Sequence, residues 1–501
     1  MKRRSFLRNT GLAGLLAGSS LKLAARVPPH NWEDYDFGPP PAGDRRLNQG
    51  PFSAYGTDAT APGADVVMST HPSFKPVPNP GMGLVTYICD EAGPPRIEGE
   101  SLEKSIEDLA AFPPGDKLYL RVDWRDIQNK PGKLDFPDHW KITFDMALKY
   151  NKKVGLRIQM MSPVIEPHSV PDFLAEKIPF VELGKTDEIG IPGKVHAAPR
   201  YDHPEFMAAF RELDHMLSDL YNGHELVEFI DTYMYGFWGE GHTWPFEGNP
   251  FPDYHTAEET SIALFGQQDR NWDRTPLLTN TQPDYSHVGN SEVLDRTLRS
   301  HNWLRTDTIF IENEQIEALS NRPSWTGVLV ENGIAPDREN SESVIRHAKD
   351  VGPHYFSLWN WHRISAPLLI QTYDKYSQSL DDLARSIGYR LRPSWIWYYE
   401  KENYPTLIFG LVNDGIAGVP GILHLSLKDD SGRLMATGCL DAGYPLPGKV
   451  RQAQLTLPEN TGWEGLKLFA GIEIKKEQYP VQWACREKLN PDGSLTLQRN
   501  R

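Results

Sequence analysis

The sequence predicts a (β/α)8 barrel, also called a TIM barrel, followed by a C-terminal antiparallel β-sandwich. Strand-like apolar runs alternate with amphipathic helical segments through residues 81–388, which is typical of a parallel sheet. Eight such units fit a closed barrel, whereas the alternative, an open doubly wound sheet, lacks support because no glycine-rich phosphate loop follows the first strand. From residue 389 to 501, short alternating runs separated by turns favour a sandwich.

Two segments precede the predicted barrel. Residues 1–25 resemble a twin-arginine export signal, because Arg3 and Arg4 are followed by Phe6-Leu7 and a short, weakly apolar stretch. This resemblance implies a periplasmic or extracellular protein and the twin-arginine translocase as a partner during export. Residues 26–80 are rich in Pro and Gly and predict an extended arm. No other segment is long enough to span a bilayer, so we expect no stable membrane span after processing.

The barrel elements follow from hydrophobic periodicity, which is close to two in strands and 3.6 in helices. The predicted strands are residues 82–88, 117–124, 153–160, 227–238, 276–281, 308–311, 325–330 and 354–359. The predicted helices are a segment capped by Ser101, then 140–150, 205–221, 257–265, 293–299, 341–351 and 373–387. Predicted strands of the sandwich are residues 406–412, 421–427, 452–457 and 466–474.

Composition narrows the range of partners. The formal net charge of −15 disfavours nucleic acid, because an acidic surface repels a phosphate backbone. Three cysteines are too few for a disulfide framework, although the sequence leaves open a pair between Cys439 and Cys485. The 14 Trp and 20 Tyr suit a protein that stacks aromatic rings on sugars, and most of them are also expected in the core.

Active sites of (β/α)8 barrels lie at the C-terminal ends of the strands, so the polar residues expected there are the candidates. Glu240 follows the predicted fourth strand and lies between two glycines, which permit a tight bend and close approach of a ligand. Three ring-bearing residues surround it in sequence and are expected to contact substrate: Trp238, His242 and Trp244. Because these rings should reduce solvation of the carboxyl group, we expect its pKa to be raised, as a general acid requires.

A second carboxylate is predicted at the end of the seventh strand. Residues 326–330 are small or apolar and end directly at Glu331, where a nucleophile would lie. If the sixth strand is miscounted, Glu312 is the alternative. Two carboxylates that face each other across a sugar are the minimum for glycosidic cleavage, and strands four and seven lie roughly opposite each other in an eight-stranded barrel.

Other polar and aromatic residues at the predicted strand ends are candidates for substrate binding. Asn and Gln match sugar hydroxyl groups because each offers a donor and an acceptor, and a Trp ring can form the floor under a pyranose. These candidates are Arg121, Asp123, Trp124, Arg157, Gln159, Asn280, Trp359, Asn360 and Trp361.

The chain resembles a large clan of glycoside hydrolases that includes β-galactosidases, cellulases and many β-glycosidases. The segment 236–242, Gly-Phe-Trp-Gly-Glu-Gly-His, is similar to the strand-four motif of the β-galactosidase-like branches. Residues 78–83 and the C-terminal β-domain are similar to an uncharacterised barrel family related to that clan, and the resemblance covers residues 75–490. It implies that Glu240 is the acid/base and Glu331 the nucleophile of a retaining hydrolase.

One departure from this pattern keeps other functions open. Gly239 stands where clan members usually carry an Asn that contacts the sugar 2-hydroxyl group, and its loss favours a non-catalytic carbohydrate-binding barrel. A third alternative is another hydrolase or a lyase with metal assistance from His242 and His362, but no compact metal-ligand spacing occurs, so we expect no metal and no cofactor. No Gly-x-Ser-x-Gly elbow is present, which argues against a serine hydrolase.

Overall fold

The structure of the protein is a computed structural model, which describes residues 65–89, 93–94, 97–246, 250–281, 290–306, 318–332, 341–358 and 365–499. Several predicted features lie outside these residues: the export signal, the first part of the arm, and the site candidates Glu312, Trp359, Asn360 and Trp361.

Eight parallel strands form a closed barrel, which confirms the predicted fold class. The strands are β2 (Gly83–Tyr87), β3 (Lys117–Asp123), β4 (Lys153–Gln159), β7 (Val227–Asp231), β8 (Leu277–Asn280), β9 (Trp303–Arg305), β10 (Val328–Val330) and β11 (Tyr355–Ser357). Closure is made by β11, which pairs with β2 in parallel and aligns Phe356 with Leu84. Because all strands run in one direction, their C-terminal ends meet at one mouth.

Helices cover the barrel between the strands. They are α1 (Leu102–Ala110), α2 (Trp124–Ile127), α3 (Asp138–Lys149), α4 (Asp172–Ala175), α5 (Pro204–Tyr221), α6 (Tyr254–Asn271), α7 (Asn290–Arg299), α8 (Ser341–His347), α9 (Ala366–Lys375) and α10 (Ser377–Ser386). The hydroxyl group of Ser101 accepts a hydrogen bond from the Lys104 amide at 3.1 Å, which confirms the predicted N-cap of α1. None of the helices among the described residues combines the length and apolar composition needed to cross a bilayer.

Two barrel strands differ from their predicted positions. The fourth, β7, ends at Asp231 instead of residue 238, because the apolar residues that follow it form a folded loop whose side chains pack into the core. The sixth strand of the barrel is β9, Trp303–Arg305, whereas the predicted segment 308–311 lies outside the described residues. Three residues are too few to show a period of two, so the more apolar segment 308–311 gave the stronger strand signal.

Aromatic rings fill the middle of the barrel. The rings of Tyr87 and Tyr119 lie 4.4 Å apart between centroids, Phe229 stacks at 6.3 Å from Tyr119, and Tyr355 lies 5.2 Å from Phe229. Below them, at the N-terminal end of the strands, Lys117 pairs with Glu228 at 3.1 Å. The barrel is therefore a packed core, and its polar mouth rests on a rigid aromatic layer.

Two antiparallel sheets follow the barrel. Their strands are β12 (Leu391–Lys401), β13 (Tyr404–Asn413), β14 (Ile422–Lys428), β15 (Leu434–Cys439), β16 (Val450–Thr456), β17 (Lys467–Ile474), β18 (Glu477–Val481), β19 (Leu495–Thr496) and, from the predicted arm, β1 (Asp65–Ser69). One sheet has the order β1-β12-β13-β16, and the other β15-β14-β17-β18 with β19 beside β17. Between β4 and β7 of the barrel, β5 (Phe180–Lys185) and β6 (Val195–Pro199) form a separate antiparallel pair. Cys439 and Cys485 are separate thiols, so the pair left open by the sequence does not form.

The sheets contact the barrel at the end opposite its mouth. His354, which precedes β11, bonds to the Gly418 carbonyl group at 2.9 Å. Asn79, close to the start of β2, exchanges two hydrogen bonds with the Gln482 backbone, at 2.8 and 3.2 Å. These contacts lie at the N-terminal ends of the barrel strands, which places the sheets away from the candidate site.

Candidate active site

Polar side chains occupy the C-terminal ends of neighbouring barrel strands. Arg121 and Asp123 end β3, and they share its inner face with Tyr119 because strand residues alternate between faces. Arg157 and Gln159 take the same positions in β4, in register with Arg121 and Asp123. β8 ends in Asn280, which the sequence predicts for the site, and β7 ends in Asp231, which the sequence does not predict.

Five buried charged residues at the barrel mouth form one continuous set of ion pairs. Glu240 contacts Arg157 at 2.6 Å between Oε1 and Nη2, and the Arg157 Nε atom lies 3.5 Å from Asp231. Asp231 also pairs with Arg305, and Arg305 pairs with Glu331. We call Glu240, Arg157, Asp231, Arg305 and Glu331 the carboxylate–arginine chain. Each member is at most 5% exposed, so these charges are held in a desolvated mouth.

The exit of the seventh strand fixes Glu331. Its amide donates to the Thr306 hydroxyl group at 3.0 Å, and the amide of Asn332 donates to Ser357 at 2.7 Å, so both neighbouring strands hold this segment. The hydroxyl group of Tyr87 lies 3.4 Å from Glu331 Oε2. Glu331 therefore sits directly at the end of β10, as the sequence indicated, and its carboxylate faces a cation and a phenol.

A folded loop carries Glu240 to the mouth. Because β7 ends at Asp231, Glu240 is not a strand-end residue as predicted, but follows the 3-10 turn Phe237–Gly239. The Trp238 amide donates to the Met161 carbonyl group at 2.9 Å, and the Phe237 amide to that of His242 at 2.8 Å. The first bond ties the loop to the exit of β4 and the second closes the loop on itself, and the Glu240 carboxylate reaches Arg157 of that strand.

The pKa of Glu240 is lowered, whereas the sequence predicts that it is raised. Burial by itself raises the pKa of this carboxyl group, but Arg157, the hydrogen bond from His242 and the charge of Arg305 together hold the pKa below its usual value. The His242 ring lies 3.3 Å from Glu240 Oε2. The flanking rings do reduce solvation, yet the two arginines, which act across the barrel, outweigh them.

Asp123 is a carboxyl group of the mouth whose pKa is raised. Burial lifts its pKa to about 7, while the neighbouring Ser169 hydroxyl group and the hydrogen bond from Gln159 oppose this change only in part. Gln159 donates to Asp123 Oδ2 at 3.2 Å. A carboxyl group that titrates near neutral pH at a barrel mouth is able to donate or accept a proton.

The remaining predicted residues divide into those near Glu240 and His242 and one, Trp124, that lies in the core. Asn280 and Glu240 line one small cavity, together with Thr279 at the end of β8. Trp238 and Trp244 are partly buried beside His242. In contrast, Trp124 lies away from the mouth, because its ring is fully buried, packs edge-on against Phe206 at 5.7 Å and donates to Gln128.

Sequence reasoning missed two members of the carboxylate–arginine chain, Asp231 and Arg305. Asp231 was read as an interior residue of a longer fourth strand, and Arg305 as a residue before the sixth strand. Only the alternation Trp303-Leu304-Arg305 hinted at a strand with an inward Arg, and its three residues gave too weak a signal. Among the residues that the structure describes, no group of three or more His, Cys, Asp or Glu is arranged to hold a metal ion.

Comparisons with known proteins show similarity to solved glycoside hydrolases at low identity. No family model and no curated protein matches the chain. The catalytic domain of a β-amylase from Paenibacillus polymyxa is 10% identical, with 59% of this chain and 98% of that chain covered and a TM-score of 0.41. A family 39 glycoside hydrolase from Bacteroides cellulosilyticus WH2 is 10% identical, with 76% and 81% covered and a TM-score of 0.35. A psychrophilic family 10 endo-β-1,4-xylanase is 8% identical, with 56% and 86% covered and a TM-score of 0.34.

At these identities and TM-scores, the likeness carries no argument about activity. The chemistry of this protein is therefore inferred from the barrel and from the geometry of its mouth.

Proposed function

We propose that this protein is a glycoside hydrolase in which Glu240 and Glu331 act together on a glycosidic bond. The observation that carries the proposal is the carboxylate–arginine chain, which joins these two buried carboxylates across the mouth of one barrel through Arg157, Asp231 and Arg305. A pair of carboxyl groups on either side of the scissile bond supplies the acid/base and the nucleophile of glycosidic cleavage.

Glu331 is assigned the nucleophilic role. Its contact with Arg305 favours the ionised form, which is the form that attacks an anomeric carbon. The bond from the anomeric carbon to the leaving oxygen breaks, a bond to the Glu331 carboxylate forms, and the leaving oxygen takes a proton. Water then cleaves the glycosyl-enzyme with retention of configuration.

Glu240 is assigned the acid/base role. Its lowered pKa in the unliganded protein suits the second step, in which a carboxylate draws a proton from water. The first step needs the protonated acid, so bound substrate must weaken the ion pair between Arg157 and Glu240. This requirement makes Glu240 sensitive to the charge of the substrate.

The second candidate function is carbohydrate binding without catalysis. It is favoured by Gly239, which replaces the Asn of the resembling hydrolases, and by the ion pairs that already occupy both carboxylates. We also propose export by the twin-arginine route, which is supported by the sequence of residues 1–25 alone.

The test is a screen of purified protein against aryl glycosides and polysaccharides, with the products followed by NMR. We expect turnover by the wild type with retained anomeric configuration, and loss of turnover in Glu331→Gln and Glu240→Gln. Asp414→Asn is the matched control, because Asp414 is also buried and paired with an arginine, at 2.7 Å from Arg392, but lies among the C-terminal sheets. Sugar binding without any product would favour the second candidate, and full activity in both Gln variants would contradict the proposal.

A further inference from the structure

Arg121 presents an unused binding edge inside the barrel mouth. Arg121 is 4% exposed, and its Nε and Nη2 atoms have no hydrogen-bond partner in the described part of the chain. Nε and Nη2 lie on the same edge of the guanidinium and together receive the two oxygens of a carboxylate. Buried donors without partners are rare and costly, so a complete unpaired edge indicates a ligand.

The neighbouring strand adds a second arginine at the same level. Arg157 is the register partner of Arg121 between β3 and β4, and it is 1% exposed. Two of its nitrogens face Glu240 and Asp231, whereas Nη1 has no partner among the described residues. Side by side, Arg121 and Arg157 therefore offer three unpaired donor atoms and the charge of a guanidinium with no ion pair to a described carboxylate.

Two further features near the ends of β3 and β4 bear on the binding of an anion. Beyond the end of β4, a cavity of about 200 Å³ is lined by Met160, Lys194 and His196, among others. The His196 Nε2 atom is buried without a hydrogen-bond partner among the described residues, and Lys194, whose amino group donates to the Ile165 carbonyl group, also lines this cavity. Because burial keeps Asp123 partly protonated at neutral pH, this carboxyl group repels an anion only weakly.

We propose that the barrel mouth binds a uronic acid residue, with the sugar carboxylate held by the Nε–Nη2 edge of Arg121 and by Nη1 of Arg157. A carboxylate fits better than a sulfate because its two oxygens are coplanar with the guanidinium edge. The substrate class is then an acidic saccharide. This inference rests on the proposed function for cleavage, but the binding it describes is measurable by itself.

The same contact meets the requirement on Glu240. An anion bound to Arg157 partly neutralises the guanidinium charge that Glu240 experiences. The negative charge of the anion also favours the protonated form of the Glu240 carboxyl group. Binding of the uronate thus prepares the acid for the first step, whereas a neutral sugar leaves Glu240 ionised.

Calorimetric binding to the Glu331→Gln variant tests the inference without hydrolysis. The probes are D-glucuronate, D-galacturonate and D-mannuronate, their neutral counterparts glucose, galactose and mannose, and inorganic sulfate. We expect at least one uronate to bind at least about 10-fold more tightly than its neutral counterpart and than sulfate. Adding Arg121→Gln should remove this preference, and adding Arg121→Lys should restore it only in part, since a lysine lacks the planar edge.

Arg125→Gln is the matched control, because Arg125 is a partly exposed arginine on the adjacent helix α2 that pairs with Asp172. It should leave the uronate preference unchanged. Equal binding of uronates and neutral sugars, or a preference that survives Arg121→Gln, would overturn the inference; the comparison of ligands on the parent protein decides even if the Arg121 variants do not fold. Cleavage of neutral glycosides alone would support the proposed function and contradict this inference. Binding of a uronate through Arg121 without any cleavage would support this inference and contradict the proposed function.

Discussion

Replacement of Arg305 by methionine is the most direct perturbation of the carboxylate–arginine chain. Arg305 is 1% exposed and is the shared partner of Asp231 and Glu331, which are 1% and 2% exposed. Methionine fills much of the space, but it leaves the buried Glu331 without its arginine and Asp231 with Arg157 alone, at 3.5 Å. Breaking a buried pair in this way costs about 3–5 kcal/mol, a large part of the roughly 5–15 kcal/mol that stabilises a typical domain.

The loss should depend on pH. Without Arg305, the folded variant buries negative charge that is no longer fully compensated, and protons bound at lower pH reduce this cost. A group that binds protons more tightly when folded loses its contribution as pH rises, so Arg305→Met should be destabilised more at pH 8 than at pH 5. The assay is urea denaturation at both pH values, followed by tryptophan fluorescence.

Two further variants make this experiment decisive. Arg392→Met breaks the buried pair with Asp414 among the C-terminal sheets and should destabilise the protein while leaving saccharide binding unchanged. In the double variant Arg305→Met/Glu331→Gln, the second substitution removes one uncompensated charge and should recover at least about 1 kcal/mol. A loss below about 1 kcal/mol in Arg305→Met, or an equal loss at both pH values, would refute the account of these buried charges.

Three other outcomes follow from the same geometry. Gly236→Ala should displace the Glu240 loop and abolish turnover, because its Cβ would lie 2.1 Å from the His242 carbonyl oxygen at a φ of +81°. Gly241→Ala has a similar φ of +82° but its nearest contact is at 3.9 Å, so it should lose only about 1–2 kcal/mol of stability. Thermal melts and activity assays compare the two variants. The raised pKa of Asp123 means that folding favours its protonated form, so this group should contribute a loss of stability as pH rises from about 4 to 7. Asp123→Asn should remove that contribution, and a stability profile equal to that of the wild type over this range would argue against a buried Asp123. Glu240→Gln should lower turnover by roughly 10²- to 10⁴-fold, measured by steady-state kinetics, and a smaller loss would deny it the acid/base role.

The sequence was sufficient for the architecture because the barrel depends on local periodicity. Apolar runs with helices between them set the number of strands, and the N-cap at Ser101 was readable from one residue. The positions of short strands were not readable in the same way. Trp303–Arg305 has three residues, and its identity as a strand depends on pairing with β8 and β10, which are distant in sequence.

The site was predictable only in part, for a physical reason. Glu331 ends an apolar run and Glu240 lies between glycines, so each has a local signal. The state of Glu240, however, depends on Arg157 and Arg305, which reach it across the barrel. A local pattern of aromatic residues predicted a raised pKa, and long-range charges reversed its direction. Similarly, nothing in the order of residues showed that the ring of Trp124 would turn into the core.

The central claim is that Glu331 attacks the anomeric carbon while Glu240 serves as acid/base. Its most direct test is incubation with the 2-deoxy-2-fluoroglycosyl fluoride of the sugar that the protein hydrolyses, followed by intact mass and peptide mapping, since the fluorine slows the second step and lets the glycosyl-enzyme accumulate. The account predicts one covalent adduct per chain on Glu331 and none in Glu331→Gln. Turnover without an adduct, with inversion at the anomeric carbon, or an adduct on another residue would contradict it.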